Sequence, residues 1–413
     1  MQDTVAFHRL IAAAPDDDAP RLVYADWLEE RGDPRGTFVR VQCALARLPA
    51  DHPRRRDLEQ VEDELFQSHG AAWAQGVAGR VSGYKFRRGF IDEITLRADA
   101  FLEHASVLLR TGTIRTVHLL NAAGHVGGLA RSPYLARVRV LDLCANHLWD
   151  DAARLLARSP AIRGLASLDL SFNSLSSTAV QAMAAAKSWP RLETLDLRGN
   201  DRIDDRGAAA LARAAMPALA TLDLRDCQLG PAGVSALIRG KTLPKMAELR
   251  FSGNQLGDSG ARALAASPRL AVLLAKSKTL DLSHTGLGPA GVRTLLADDR
   301  LAVVRTLRLE GNRLGDSGTA ALAAAKLPQL RELHLAGNEI TDDGAAALAG
   351  SPLLGRLRWL GLRDNALTAA ADVILRESLY WHWRTVIETE DNRPPWAGRG
   401  DPPLPLEPGE EES

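Results

Sequence analysis

The sequence predicts an α/β solenoid in which short parallel strands line the inside of a horseshoe and helices cover the outside. The first observation behind this fold class is a nine-residue string, LxxLxLxxN, which recurs in full or in near copies. Successive copies are separated by 27, 27, 27, 27, 31, 27, 26 and 27 residues, and a fixed period of this kind is typical of a solenoid. The final positions of the nine copies are Asn146, Asn173, Asn200, Cys227, Asn254, Thr285, Asn312, Asn338 and Asn365.

The second observation is a change of apolar period inside each repeat. In residues 192–200, Leu195 and Leu197 alternate with polar residues, which indicates a strand with one buried face. Residues 207, 208, 211 and 212 are small or apolar and fall on one face of a helix. Nine repeats of strand, turn and helix are therefore predicted over residues 138–365. In two of them, Asp258 and Asp316 are predicted to cap their own helices.

Residues 1–75 are predicted to form a small all-helical domain. Helices are expected over residues 6–14, 21–30, 37–47 and 54–68, where the residues favour helix and glycine or proline separates the segments. The acidic run at residues 16–18 is expected to cap the second helix, because short carboxylates accept hydrogen bonds from the first free N–H groups of a helix.

Residues 76–137 are predicted to be transitional and to hold two degenerate opening repeats. Ile91, Ile94 and Leu96 fit the string, with Asp99 in the place of the asparagine, and residues 114–122 fit it more loosely. Terminal repeats of a solenoid are atypical because one of their sides has no neighbour to pack on.

The other departures from the period lie near the C-terminus and at one long step. Residues 366–390 are predicted to cap the last repeat, with a helix near residues 369–377, and residues 391–413 to form a disordered tail rich in proline and glutamate. The 31-residue step carries four extra residues within 269–276. They form either a functional loop or a longer helix end that packs on itself, and their apolar composition favours packing.

Charge, cysteine usage and motifs exclude several classes of function. Lys plus Arg equals Asp plus Glu, 51 each, so we expect neither nucleic acid nor a membrane as a partner. Three scattered cysteines, no recognisable signal peptide and no long apolar run predict a cytoplasmic location. The sequence shows no nucleophile, metal or phosphate-loop motif, so we expect no enzymatic activity, no cofactor and no metal. We expect a monomer.

The asparagine that ends the string is predicted to be structural. The chain turns out of the strand there and leaves backbone N–H and C=O groups buried between repeats, and an amide side chain can satisfy both kinds of group. Cys227 and Thr285 are weaker substitutes. The predicted ladder comprises Asn146, Asn173, Asn200, Asn254, Asn312, Asn338 and Asn365.

Strand alternation also identifies two columns of residues on the concave face. Four consecutive carboxylates in the central column form either an acidic stripe for a basic partner or cation, or a structural row held by hydrogen bonds to neighbours such as Thr194. The second interpretation is favoured. The central column is Asp142, Asp169, Asp196, Asp223, Arg250, Asp281, Arg308, His334 and Gly361, and the column two residues later is Cys144, Ser171, Arg198, Arg225, Ser252, Ser283, Glu310, Ala336 and Arg363.

Trp359 is the most distinctive residue of this face, because other repeats carry small polar residues such as Ser167 at its position. Tryptophan and arginine dominate the hot spots of protein interfaces, so a protein partner is predicted here. The alternative is that the C-terminal cap covers Trp359. The predicted partner-binding residues are Trp359, His334, Arg363, Arg308, Glu310, Glu332, Asp196, Arg198, Asp223 and Arg225.

Two segments resemble known families. The repeats, for example LDLRGNDRIDDRGAAALARA, resemble leucine-rich repeats of the ribonuclease-inhibitor-like subtype over residues 138–365. The string PDDDAPRLVYADWLEERGDPRGTFVRVQCALARLP resembles a bacterial repeat-companion domain over residues 3–49. The resemblance implies a bacterial protein, and it supplies neither a substrate nor catalytic residues. We expect a non-enzymatic interaction scaffold that binds a protein on its concave face. The alternative is a regulator of an enzyme, either a ribonuclease-inhibitor-like inhibitor or an activator of a small GTPase, since relatives of this subtype do both.

Overall fold

Parallel strands alternate with helices over most of the chain, as the repeat predicts. The computed structural model describes residues 2–186, 189–240, 244–297, 299–382 and 384–390. The strands fall into a sheet of eight and a sheet of five, and the chain divides into two units, Met1–Phe251 and Ser252–Ser413. The tail predicted at residues 391–413 lies outside the described residues.

Four helices precede the first strand, close to the four segments predicted. They are α1 (Gln2–Ala13), α2 (Ala19–Glu29), α3 (Arg35–Arg47) and α4 (Arg55–Trp73). A core of seven buried residues joins α1, α2 and α3 to the strand that begins at Phe90. These helices belong to the same unit as the first sheet, and a domain boundary at residue 75 stays a prediction.

The prediction that the acidic run at residues 16–18 caps α2 holds only in part. Asp18 occupies the cap position but makes no capping hydrogen bond, and its buried carboxylate lies 2.7 Å from Nε of Arg47. Asp17 accepts instead from the backbone N–H of Ala19 at 2.9 Å. Because a buried carboxylate needs a charged partner, the pairing of Asp18 with arginine prevails over capping.

An antiparallel hairpin opens the first sheet and was not predicted. Strands β1 (Gly83–Arg87) and β2 (Phe90–Arg97) are joined by Arg88 and Gly89, with φ of 52° and 84°. Two left-handed residues form the tight turn that suits the twist of paired strands. A side chain at residue 89 would also collide with Val39, because an added Cβ would lie 2.2 Å from that residue.

The first degenerate repeat differs from the prediction at Asp99. The chain passes from β2 directly into helix α5 (Ala98–Leu108), and Asp99 lies in its first turn. There the carboxylate pairs with Arg97 at 2.8 Å and accepts from the N–H of Ala100 at 2.9 Å. Asp99 therefore does not replace the ladder asparagine, because this repeat makes no turn between its strand and its helix.

The remaining strands of the first sheet are parallel, and equivalent positions of successive repeats lie opposite one another. The central leucine of each repeat is buried, as at Leu168 and Leu195. The strands are β3 (Thr116–Leu120), β4 (Val140–Asp142), β5 (Ser167–Asp169), β6 (Thr194–Asp196), β7 (Thr221–Asp223) and β8 (Glu248–Arg250). Their helices are α6 (Val126–Arg131), α7 (Asp150–Arg158), α8 (Ser177–Ala185), α9 (Asp205–Leu211) and α10 (Pro231–Arg239).

The second unit repeats this architecture with five parallel strands. The strands are β9 (Thr279–Asp281), β10 (Thr306–Arg308), β11 (Glu332–His334), β12 (Trp359–Gly361) and β13 (Val386–Glu388). The helices are α11 (Gly257–Ala265), α12 (Arg269–Ser277), α13 (Pro289–Leu296), α14 (Gly315–Ala323), α15 (Asp342–Ala349) and α16 (Ala369–Arg376). An α/β solenoid with a parallel sheet and flanking helices is thus confirmed.

The long step and the C-terminal cap both resolve into regular structure. The extra residues of the 31-residue step form α12, which buries Leu270, Leu273 and Leu274 and therefore favours the packing interpretation. At the C-terminal end, β13 pairs with β12 and places Ile387 opposite Leu360, which extends the sheet by one strand. Only part of the predicted apolar stretch is buried there, since Leu379 is 99% exposed.

The ladder asparagines connect neighbouring repeats through backbone groups. Nδ2 of Asn173 donates to the carbonyl oxygens of Leu143 and Leu170, both at 3.0 Å. Its Oδ1 accepts from the N–H groups of Asn146 at 3.1 Å and Leu148 at 2.8 Å. The other ladder asparagines are also buried. One amide thus satisfies groups of two repeats, and this fixes their spacing.

A second set of contacts connects the helix starts. The prediction that Asp258 and Asp316 cap their own helices is wrong, because their carboxylates accept from backbone N–H groups of the next repeat. Oδ1 of Asp258 accepts from the N–H of Gly288 at 2.8 Å, and Oδ1 of Asp316 from those of Thr341 at 2.8 Å and Gly344 at 3.0 Å. The same role belongs to Asp150, Asp205 and Asp342.

Restoring the asparagine at Cys227 should stabilise the protein. The thiol is a long, weak donor to the carbonyl oxygens of Leu197 (3.5 Å) and Arg225 (3.6 Å). In Cys227→Asn an amide would donate to these groups, and we expect the free energy of unfolding to rise by about 1 kcal/mol. Denaturant unfolding measures the change. The mirror variant Asn200→Cys should lose a similar amount, and a destabilised Cys227→Asn would contradict the structural account of the ladder.

Candidate binding surface on the strand faces

The candidate site is the exposed face of each sheet, where the residues on either side of the buried leucine lie. In the first sheet, strand register places Asp142, Asp169, Asp196 and Asp223 opposite one another, with Arg250 next to Asp223. In the second sheet the same row is Asp281, Arg308, His334, Gly361 and Glu388. The rows follow the predicted columns within each unit.

Each aspartate of the row accepts a hydrogen bond from a backbone N–H two residues later. Oδ1 of Asp169 accepts from Ser171 at 2.8 Å, and Oδ1 of Asp196 from Arg198 at 2.9 Å. The same bond forms at Asp142, Asp223 and Asp281. The favoured structural interpretation thus has a bonding basis, but the partner is the backbone and not a threonine side chain. The carboxylate holds the chain where it leaves the strand.

Both ends of the acidic row carry cationic or imidazole partners. Nδ1 of His118 lies 2.6 Å from Oδ2 of Asp142 at one end. At the other end Asp223 is buried against Arg225 at 2.6 Å and Arg250 at 3.5 Å. The middle of the row is less compensated. Burial, followed by the charges of Asp223 and Asp169, raises the pKa of Asp196 against the lowering effect of its bond from Arg198.

Sequence reasoning missed the continuation of this row into the opening repeats. Nε2 of His118 lies 3.2 Å from Glu93, and Lys85 lies 2.6 Å from the same carboxylate. Burial raises the pKa of Glu93, but its hydrogen bond to Lys85 and the nearby cationic groups lower it more, so the net shift is downward. The fit of residues 114–122 to the string already puts Val117 at the position of the repeat leucines, so extending the row by one strand would have placed His118 in it.

Two aspartates of the row and a cysteine next to it lie close enough together to hold a cation. One ligand atom from each of Asp142, Cys144 and Asp169 lies within 4.8 Å of the others. Burial is the main cause that raises the pKa of the Cys144 thiol, so the group stays protonated and is a poor ligand at neutral pH. Both aspartates already accept backbone hydrogen bonds. The cluster is therefore explained by the repeat.

In the second unit, Trp359 and its neighbours form one contact cluster. The imidazole of His334 stacks on the indole of Trp359, with ring centroids 6.3 Å apart and planes at 28°. Nδ1 of His334 lies 3.5 Å from Glu310, and Nε2 lies 3.8 Å from Glu332. Arg308 pairs with Glu310 at 2.9 Å. We call Trp359, His334, Glu310, Glu332 and Arg308 the tryptophan cluster.

Gly361 makes room for the indole. An added Cβ at this residue would lie 3.4 Å from Nε1 of Trp359, so the ring leans over the glycine. The cap strand β13 lies beside Trp359 and pairs Val386 with it, while Val386 remains 50% exposed. Trp359 itself is half-buried. Arg363 is exposed in the same repeat.

The predicted residues of the first unit mostly contact each other. Arg225 donates hydrogen bonds to the Asp223 carboxylate from Nε and Nη2. The Arg198 guanidinium lies over the ring of Phe172, 4.9 Å from its centroid. Asp196 lies next to Asp223 in the row. The structure therefore brings the predicted residues together within each unit, as an acidic row in the first and the tryptophan cluster in the second.

Comparison with protein-family models agrees with the repeat architecture. Six segments match the family model described as leucine rich repeat, at residues 191–212, 217–237, 242–265, 278–296, 302–323 and 326–349. These segments are leucine-rich repeats. Among solved structures, the chain is similar to an internalin from Listeria monocytogenes, with 21% identity over 59% of this chain and 67% of that chain, and a TM-score of 0.38. No curated protein matches the chain.

Among the described residues, no helix is both long enough and apolar enough to cross a membrane.

Neutralising Asp196 should stabilise the protein at neutral pH. The folded-state pKa of this carboxyl is raised, so folding penalises its ionised form once the pH exceeds its usual pKa. Asp196→Asn keeps an acceptor for the Arg198 N–H and should raise the free energy of unfolding by on the order of 1 kcal/mol at pH 7. Denaturant unfolding between pH 3 and pH 7 tests this.

The pH dependence provides the control for that prediction. Below the usual aspartate pKa both states are protonated, so the advantage of Asp196→Asn should vanish there. Asp223→Asn is the matched variant in the same row, and it should destabilise because it breaks the buried pair with Arg225. If Asp196→Asn also destabilised at pH 7, its charge would not be penalised in the folded state.

Proposed function

We propose that this chain is a non-enzymatic interaction scaffold that binds a protein partner on the strand face, its concave face. The observation that carries the proposal is the tryptophan cluster. A half-buried indole stacks on an imidazole, and its ring leans over the buried Gly361. Aromatic anchors flanked by charged groups are the residues that contribute most to binding energy in protein interfaces.

The imidazole of His334 supports a polar contact within such an interface. Its Nε2 is buried and has no hydrogen-bond partner among the described residues. Glu310 and Glu332 lie on either side of the ring, and Arg308 is half-exposed next to Glu310. A partner that packs on the indole would therefore meet an aromatic surface with the charged groups of Arg308 and Glu332 beside it.

The predicted residues of the first unit contribute less to the proposed binding site. Asp223 and Arg225 form an ion pair with each other, so they are less available for contacts with a partner than Asp196 and Arg198 are. The regulatory alternative, inhibition of an enzyme or activation of a small GTPase, rests on the family resemblance alone. A protein partner, no nucleic acid, no membrane, a monomeric state and a cytoplasmic location are parts of the same proposal.

Removing the indole should abolish capture of the partner without unfolding the chain. Intact protein and Trp359→Ala would be used as baits in the native cell extract, and bound proteins identified by mass spectrometry. A protein bound by the intact chain should be lost, and titration of that purified protein should show at least about thirtyfold weaker binding, the effect of a 2 kcal/mol hot spot.

Two further variants make the test specific. Trp149 is 59% exposed at the start of α7, away from the strand face, so Trp149→Ala should bind as the intact protein does. Gly361→Val keeps Trp359 but fills the space under its ring, and it should also weaken binding. Equal capture by all four proteins would refute the proposal. A large drop in the thermal stability of Trp359→Ala would show that the tryptophan has a core role.

A further inference from the structure

A cavity of about 490 Å³ lies in the first unit, between the N-terminal helices, the β1–β2 hairpin and β3. This volume is typical of a site for a small molecule. Five arginines line it against three acidic residues, although the whole chain carries no net charge. The arginines are Arg21, Arg55, Arg87, Arg88 and Arg115.

The acidic residues of the cavity already have partners. Asp92 and Asp16 both pair with Arg115, at 2.8 Å and 3.1 Å. Glu62 accepts from Nε2 of Gln42 at 2.7 Å. Three of the other arginines pair with carboxylates that do not line the cavity. Arg55 pairs with Glu59 at 2.8 Å, Arg87 with Glu93 at 3.4 Å and Arg88 with Asp18 at 3.4 Å.

Arg21 is the unusual member of the set. It is 4% exposed, and its Nη1 donates to the backbone oxygen of Asp17 at 3.0 Å. Among the described residues, no carboxylate lies within ion-pair distance of Arg21, and its Nε has no hydrogen-bond partner. An unsatisfied N–H on a buried guanidinium is costly, because that N–H loses its water and gains no hydrogen-bond acceptor.

The electrostatic surroundings of Arg21 add to this cost. Burial is the main cause that lowers its pKa, and the charges of Arg88 and Arg115 lower it further, while Cys43 and Asp18 act in the opposite direction. Arginine remains protonated in proteins, so positive charge accumulates here. An anion in the cavity would relieve it.

Three apolar residues also line the cavity. They are Leu45 and Ala46 of α3 and Phe86 of β1. A bare inorganic anion would use only the cationic lining, whereas an anion with an organic substituent would also contact these apolar residues. Arginine forks match the oxygens of a phosphoryl group in geometry and charge.

We propose that this cavity binds a small phosphate monoester. Arg21, Arg87 and Arg88 contact the phosphoryl group, and Leu45, Ala46 and Phe86 pack against the organic group. The site is separate from the strand-face cluster and does not depend on the function proposed for that cluster. A second cavity of about 520 Å³ shares Asp16, Arg87, Asp92 and Arg115 with the first and adds Arg139, Arg191 and Glu193.

Calorimetric titration of the full chain tests the chemistry of the ligand. Phenyl phosphate should bind, inorganic phosphate should bind at least about tenfold more weakly for want of the apolar contact, and phenol should not bind measurably. Added salt should weaken the binding of phenyl phosphate. Absence of binding by phenyl phosphate at millimolar concentration would overturn the proposal. Equal affinity for the two phosphates would overturn the ester part of it.

Variants test the residues. Arg87 is largely exposed and Lys85 can still pair with Glu93 in its absence, so Arg87→Gln should fold and bind phenyl phosphate about tenfold more weakly. Arg21→Gln should lose binding. Arg213→Gln, which removes an exposed arginine elsewhere in the same unit, is the control and should bind normally.

The variants also distinguish a binding site from a purely structural cluster. If Arg21→Gln does not fold, Arg87→Gln and Arg88→Gln decide the question. Equal weakening in Arg213→Gln would indicate non-specific attraction to charge and overturn the proposal. Unchanged affinity in both Arg87→Gln and Arg88→Gln would do the same.

Discussion

The hydrogen bonds of the ladder asparagines are the constraint on which the repeat architecture depends. Each repeat leaves its strand through a turn whose backbone groups are buried, and one amide serves groups of two neighbouring repeats. This requirement sets the distance and the register between successive strands. The register in turn aligns equivalent residues into rows, so that Asp142 and Asp169 become neighbours although 27 residues separate them. The arrangement of residues on the strand face therefore follows from the hydrogen bonds that the ladder asparagines make to the backbone of the turns.

The parts of the fold that could be predicted are those in which one environment recurs. A leucine or asparagine that meets the same surroundings every 27 residues leaves a period in the sequence, and the strands follow from that period. The hairpin turn at Arg88 and Gly89 occurs only once, so it leaves no period in the sequence from which it could be predicted. Asp99 matched the string by position, but the chain there enters a helix without a turn. Asp258 accepts from a repeat 30 residues later, a partner that local helix-capping rules do not consider.

The strand face shows the same division between position and pairing. Alternation within a strand indicates which residues are exposed on it, and the rows agree with that. It does not indicate which charges neutralise each other, because this depends on how far a side chain reaches sideways. Asp223 is buried by Arg225 of its own repeat, whereas Asp142 is paired by His118 of the preceding one. The four carboxylates therefore form a much less uniform acidic surface than their column suggests.

Buried polar atoms without hydrogen-bond partners are informative in this protein, because its repeats otherwise satisfy such groups regularly. Some have a structural cause: Oδ1 of Asn338 is unpaired where the step shortens to 26 residues, and the Gly315 N–H donates instead to the backbone oxygen of Asn338. Arg21 has no such cause, because it lies in the helical segment outside the period, beside a cavity in which arginines outnumber acidic residues. His334 lies within the period, but it stacks on Trp359 of the next repeat, and the other repeats carry no tryptophan at that position. Neither nitrogen is satisfied by the contacts that the repeats make with each other, so each supports the ligand proposed at its own site.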